Sequence, residues 1–172
     1  MAMAKRLLLM IPLILACVGC DHLTKAAARE HLAASAGHPF FGDLLRLQYA
    51  ENPGAFLSLG IGLSDEARFW VFTVAVGAIL LGTAGVALKS RTLWPAAVAA
   101  LALILGGGLG NLLDRVTNDG RVVDFLNLGV GPVRTGVFNL ADVAITAGVT
   151  LLLFSEFFRR GPKEPLAPGG SP

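Results

Sequence analysis

Four apolar stretches, each near the length of a membrane crossing, decide most of what this chain can become. They run from Leu7 to Cys20, Phe69 to Leu88, Leu93 to about Leu113, and about Leu140 to Phe158. Only 15% of the 172 residues are charged and 54% are hydrophobic, whereas a soluble domain carries roughly 25% charged residues. A bilayer's hydrocarbon layer is about 30 Å thick and takes about 20 helical residues to cross. The first block alone reaches only about 21 Å at 1.5 Å per residue. Its helix must therefore continue to Ala28, which carries Asp21 and Lys25, four apart on one face, to the edge of the bilayer. The expected fold is a membrane all-α protein with spans of about 7–28, 69–88, 93–113 and 140–158. These make one domain over 1–160, followed by a Pro- and Gly-rich tail, 161–172, whose composition suits disorder.

Charge sets the expected direction. Lys5, Arg6, Lys89, Arg91, Arg159, Arg160 and Lys163 fall on one side against Glu156 and Glu164, while the other side holds seven basic and ten acidic residues. Basic residues split evenly, but those of the first group sit in short segments at span ends, the positions that orient a membrane protein. Both termini are expected in the cytoplasm. On the outer side, Asp43 to Ala50 alternates like a strand and Asn52-Pro53-Gly54 is a turn signal. With the short apolar run Ala55 to Ile61 this predicts a small β hairpin or sheet over about 40–64, between the first two helices. A net charge of +2 and the absence of basic runs interleaved with aromatics give no reason to expect nucleic acid.

Against this background the carboxylates stand out. Asp124 lies in Val122-Val123-Asp124-Phe125 and Asp142 in Phe138-Asn139-Leu140-Ala141-Asp142. A carboxyl at the mouth of a span is costly to keep there and calls first for a functional explanation. Two of them suit a pair sharing one proton, which lets an acid and a base coexist near neutral pH. The other polar residues land at the same level: Asp21 and Lys25, Asn52 and Gly54, Asn111, Asp114 and Arg115, and Asn139. Singly, each reads as a cap, an interfacial pair or a headgroup contact. Jointly, four segments deliver hydrogen-bonding side chains to one depth on one face.

Other chemistries lack their parts. No H-E-x-x-H or G-x-S-x-G is present, and His22, His31 and His38 have no ligand spacing. Cys17 and Cys20 read as small apolar helix residues; Asp21 stands where a haem-attachment motif needs His. Gly106-Gly107-Gly108-Leu109-Gly110 fails as a phosphate loop, since no Lys-Ser/Thr follows, but Gly106 and Gly110 make a small-xxx-small surface for a neighbouring helix.

Taken in order, five motifs resemble the lipoprotein signal peptidases of bacteria, the signal peptidase II family. They are Asp21-His22-Leu23-Thr24-Lys25, Asn52-Pro53-Gly54-Ala55-Phe56, Gly107 to Arg115, Val122 to Phe125, and Phe138 to Asp142. The resemblance implies a multi-pass aspartic endopeptidase of the inner membrane, acting at its outer face as a monomer without metal or other cofactor. Its substrates would be diacylglyceryl-modified prolipoproteins, cut just before the lipidated cysteine, with membrane lipids around it. Asp124 and Asp142 would be the catalytic dyad. Asn52, Gly54, Asn111, Arg115 and Asn139 would bind substrate or support the dyad, with Asp21 and Lys25 as structural support and Phe56 in a closing lid. The family often has one more residue between the glycine and the phenylalanine of the Asn52 motif, which leaves that tip's register open.

Two rival readings fit part of the sequence. A small transporter would use Asp21, Asp124 and Asp142 as a cation or proton relay, but needs polar residues through the membrane's depth, where the spans beyond Lys25 have almost none. An export signal ending at Gly19-Cys20 would make the chain itself a lipoprotein, and would separate Asp21 and Lys25 from their helix.

Overall fold

The computed structural model describes residues 2–54, 60, 62–90 and 92–159. Among them, four helices are long and apolar enough to cross a membrane: α1 (Met3–Leu32), α2 (Asp65–Lys89), α3 (Pro95–Thr117) and α4 (Leu140–Arg159). The expectation of four spans and a small antiparallel sheet is borne out. α1 extends the short apolar block well past Cys20, as the thickness argument requires. Pro95 opens α3 at a first-turn position, where a missing N–H costs nothing.

α3 is the most buried of the four spans and the others pack around it. Its glycines explain how. A Cβ on Gly106 would lie 2.6 Å from Cys17 Cβ of α1, and one on Gly110 would lie 2.6 Å from Asp21 Oδ2. Gly107 backs onto the Ala141 carbonyl of α4 and Gly108 onto Leu80 of α2. α4 returns the arrangement: a Cβ on Gly148 would sit 2.7 Å from the Ala100 carbonyl. Small residues let helix backbones approach where lipid supplies no hydrophobic drive. Away from these contacts Met10, Leu80, Val98, Leu101 and Leu105 fill the core. At the far ends of α1 and α2, buried Arg6 donates to the Ala87 and Leu88 carbonyls (3.2 and 3.4 Å), meeting the negative end of the α2 dipole.

On the other side lies a four-stranded antiparallel sheet in the order β1 (His38–Phe40), β2 (Leu45–Asn52), β3 (Val122–Val130), β4 (Val133–Arg134). The strand expected near residues 43–50 is present, but β2 pairs with β1 before it and with β3, which connects α3 to α4. The other half of the expected hairpin, 55–61, lies outside the described residues except for Gly60, as do Phe56 and the tail 161–172. The register sets Ala50 opposite Asp124 and Asn52 opposite Val122. Leu126 bridges Phe138, each amide bonding the other's carbonyl at 2.8 Å, which hangs the start of α4 on β3. Phe125 packs on Ala28 and Leu32, tying the sheet to the end of α1.

Candidate active site

Asn139 is the residue around which the site is built. It precedes α4, and its Oδ1 accepts from the Asp142 amide (3.0 Å) while Asp142 Oδ2 accepts from the Asn139 amide (3.3 Å). This reciprocal bonding is a capping box, with Asn and Asp at the two ends of the three-residue spacing. The cap does more than close a helix. Its Nδ2 donates to Asp124 Oδ1 (2.7 Å), the Val123 carbonyl (3.2 Å) and Asn111 Oδ1 (3.0 Å). Asn111, from α3, then donates to Asp142 Oδ1 (2.9 Å). One residue therefore touches both carboxyl groups, Asp124 through its side-chain Nδ2 and Asp142 through its backbone N–H, and Asn111 fixes the other oxygen of Asp142.

Asp124 comes from the middle of β3, where the pairing with β2 brings Asn52 Nδ2 to its Oδ2 (3.0 Å). Asn52 also closes an Asx turn by accepting the Gly54 amide (2.9 Å). The Gly54 carbonyl in turn accepts from Arg115 Nη2 (2.8 Å), whose guanidinium lies over the Phe72 ring at 5.8 Å. Asp124, Asp142, Asn52, Asn111 and Arg115 line one cavity of about 340 Å³, walled on its apolar side by Phe72, Val76 and Ile145. Asp124 is 2% exposed. Burial is the main force raising its pKa to about 7, and the nearby Asp142 charge pushes the same way, against the amides of Asn52 and Asn139.

Behind the cavity lies a different arrangement. Lys25 Nζ reaches Asp21 Oδ2 (2.7 Å), Asp114 Oδ2 (3.1 Å) and Asn111 Oδ1 (2.9 Å). Asp21 Oδ1 accepts the Ala141 amide of α4 (2.9 Å), and Asp114 Oδ2 accepts the Val123 amide of β3 (3.0 Å). Three buried charges thus bind α1, α3, α4 and β3 together, and Lys25 fixes which way the Asn111 amide faces. Apart from Phe56, the nine sequence-derived site residues converge; Asn52, Asn111, Arg115, Asp124 and Asp142 line the cavity, whereas Gly54, Asn139, Asp21 and Lys25 support it without lining it.

Sequence reasoning noted Asp114 but gave it no role; a buried ionisable group at a span's end was the signal available. Phe72, Ile145 and Thr146, which also line the cavity, carried no signal, since they read as ordinary span residues.

A family model described as signal peptidase (SPase) II matches residues 13–158. The chain belongs to the signal peptidase II family. It is a peptidase, hence a hydrolase, and a multi-pass protein of a bacterial membrane. Among curated relatives of the family, the lipoprotein signal peptidase of Moorella thermoacetica is 40% identical over 141 residues, covering 81% of this chain and 87% of that one. That of Paraburkholderia phymatum is 39% identical over 142 residues, covering 81% of each. Two solved structures described as a bacterial membrane enzyme share the fold at 25% identity. One has a TM-score of 0.77 over 93% of this chain and 94% of the other; the second has 0.74 over 86% and 91%.

Proposed function

We propose that this signal peptidase II is an aspartic endopeptidase with Asp124 and Asp142 as its catalytic pair. It removes signal peptides from diacylglyceryl-modified prolipoproteins by cutting before the lipidated cysteine. The observation that carries this reading is Asn139, whose side-chain Nδ2 donates to the Asp124 carboxyl and whose backbone N–H donates to the Asp142 carboxyl, both carboxyl residues lining one cavity.

Two close carboxyls in a poorly hydrated site cannot both ionise cheaply, so the pair holds one proton. The charged member takes a proton from water as that water attacks the scissile carbonyl, and the neutral member donates to the carbonyl oxygen. Asn111, Asn139 and Asn52 hold the carboxyl oxygens in place, while Arg115 lines the cavity as a partner for substrate backbone and Gly54 holds Arg115 and Asn52 in position. Asp21 and Lys25 are structural support. Residues 1–160 act as one membrane domain and as a monomer, with both termini in the cytoplasm and the cavity on the outer side. The scissile bond then lies where an exported signal peptide ends.

The test is cleavage of a diacylglyceryl-modified prolipoprotein by purified enzyme in detergent, with and without a chelator. Asp124→Asn and Asp142→Asn should each lower the rate by about a thousandfold or more, and the chelator should change nothing. Normal turnover by both variants rules the mechanism out.

A further inference from the structure

The end of the sheet that carries β1 and β4 has two unlike faces. Residues opposite one another in a ladder, and every second residue along a strand, share a face. The pairings Phe40–Leu45–Leu128 and Val130–Val133 therefore gather these five side chains on one face, with Leu47 and Leu126 further in. Arg46, Asn127 and Arg134 take the other face. There both arginines pair with Asp43, at 2.6 and 3.3 Å, and Arg134 also bonds Asn127.

The inner part of the apolar face has an evident use: Leu47 and Leu126 pack beside Ala28 and Leu32 at the end of α1. The outer part runs on past that contact, and Phe40, Leu128, Val130 and Val133 are 40 to 77% exposed. The turn between β1 and β2 adds two more apolar residues. The Leu44 carbonyl accepts the Gly129 amide (2.9 Å), which sets Leu44 beside β3. Phe41 is 81% exposed at a φ of 53°, a left-handed conformation that bulky residues rarely adopt and glycine takes freely. So exposed a ring contributes little packing to offset that strain, and its use lies outside the chain.

A contiguous apolar patch marks a surface that something else covers, and its position says what. Leu128 and Phe138 border an apolar groove that runs along α4 through Val143 to Phe154. Val143 and Phe154 are exposed on a membrane span, so they face hydrocarbon, and the apolar face of the sheet prolongs the same surface. An element with one apolar and one charged face, placed at the end of a span, lies in the interface with its apolar side in the acyl region.

We infer that the outer end of the sheet is embedded in one leaflet of the bilayer. Phe40, Phe41, Leu44, Leu128, Val130 and Val133 lie against lipid acyl chains, while Arg46 and Arg134 are turned to water. β3 also carries Asp124, so the lipid contact sets the depth of that carboxyl as well.

The test places a nitroxide on single cysteines of the full-length protein in a Cys17→Ala, Cys20→Ala background, reconstituted in phosphatidylcholine vesicles. Its collisions with oxygen, which concentrates in hydrocarbon, are compared with those of a water-soluble nickel chelate. The oxygen-to-nickel ratio at Phe41→Cys and Val133→Cys should exceed that at Arg46→Cys by about tenfold or more. Should Phe41→Cys or Val133→Cys not fold, Val130→Cys takes its place. Equal ratios on the two faces overturn the inference. So does spin–spin broadening between copies labelled at Val133→Cys, which would assign the face to a second copy of the chain.

Discussion

Asp21 and Asp142 are the same residue type, at similar depth, near the same helix end, yet their surroundings differ in one respect. Asp21 faces a lysine, and Lys25 answers it and Asp114 together. Asp142 and Asp124 have only neutral amides as hydrogen-bond partners, from Asn52, Asn111 and Asn139, and form no ion pair among the described residues. A carboxylate facing a buried cation has its charge answered by an ion pair. One whose hydrogen bonds come from amides has donors that favour its charge without forming an ion pair with it. The fold therefore distinguishes its structural carboxylates from its proposed catalytic ones by the choice of partner.

The largest effect should come from exchanging the two regions. Asp142→Asn is expected to lower cleavage about a thousandfold or more while the detergent-solubilised protein unfolds within about 1 kcal/mol of the parent. Lys25→Met should do the reverse. It leaves two buried carboxylates unanswered and costs about 3–5 kcal/mol, read by chemical unfolding, with turnover surviving in the folded fraction. Full loss of turnover in a stably folded Lys25→Met protein would break the distinction.

A smaller effect concerns pH. Cleavage should decline as pH rises through about 7, where Asp124 loses its proton. Stability follows the same sign: the raised carboxyl favours the fold below the ordinary carboxylate range, and that contribution is lost as pH rises through about 7. Asn52→Ala removes a donor that favours the charged form. It should move the alkaline limb of the pH–rate profile upward and slow the reaction about tenfold. An unmoved limb would detach Asn52 from the proton's affinity. The smallest effect is expected at the edge of the sheet, where Glu51→Gln gives up a partly exposed pair with Arg121 for less than about 1 kcal/mol of stability.

The spans and the two aspartates were legible because their signals are local: apolar length for the helices, and for Asp124 and Asp142 an ionisable group where the neighbours forbid one. Asn139 was visible as a cap, and its spacing to Asp142 followed from helix geometry. Other features depended on contacts between distant segments. Lys25 sits four residues from Asp21, so that pair could be read; its bond to Asp114 joins two helices and could not. β3 was hidden because Val122 to Phe125 is buried on both faces and so shows no alternation, and its partner strand lies some seventy residues earlier. The π-helical turns Phe69–Ala75 of α2 left no mark in Phe69-Trp70-Val71-Phe72-Thr73, a sequence that serves equally well as α-helix.

The bond from the Ala141 amide to Asp21 spans 120 positions of the chain. A ribosome making this protein delivers α1 into the membrane long before α4 exists, so the first helix waits with one carboxyl oxygen lacking this partner until the last helix arrives. Asp142 and Asn139 enter on that same late helix. The site is thus completed only by the last helix, and a chain halted between residues 125 and 138 has Asp124 without Asn139 or Asp142.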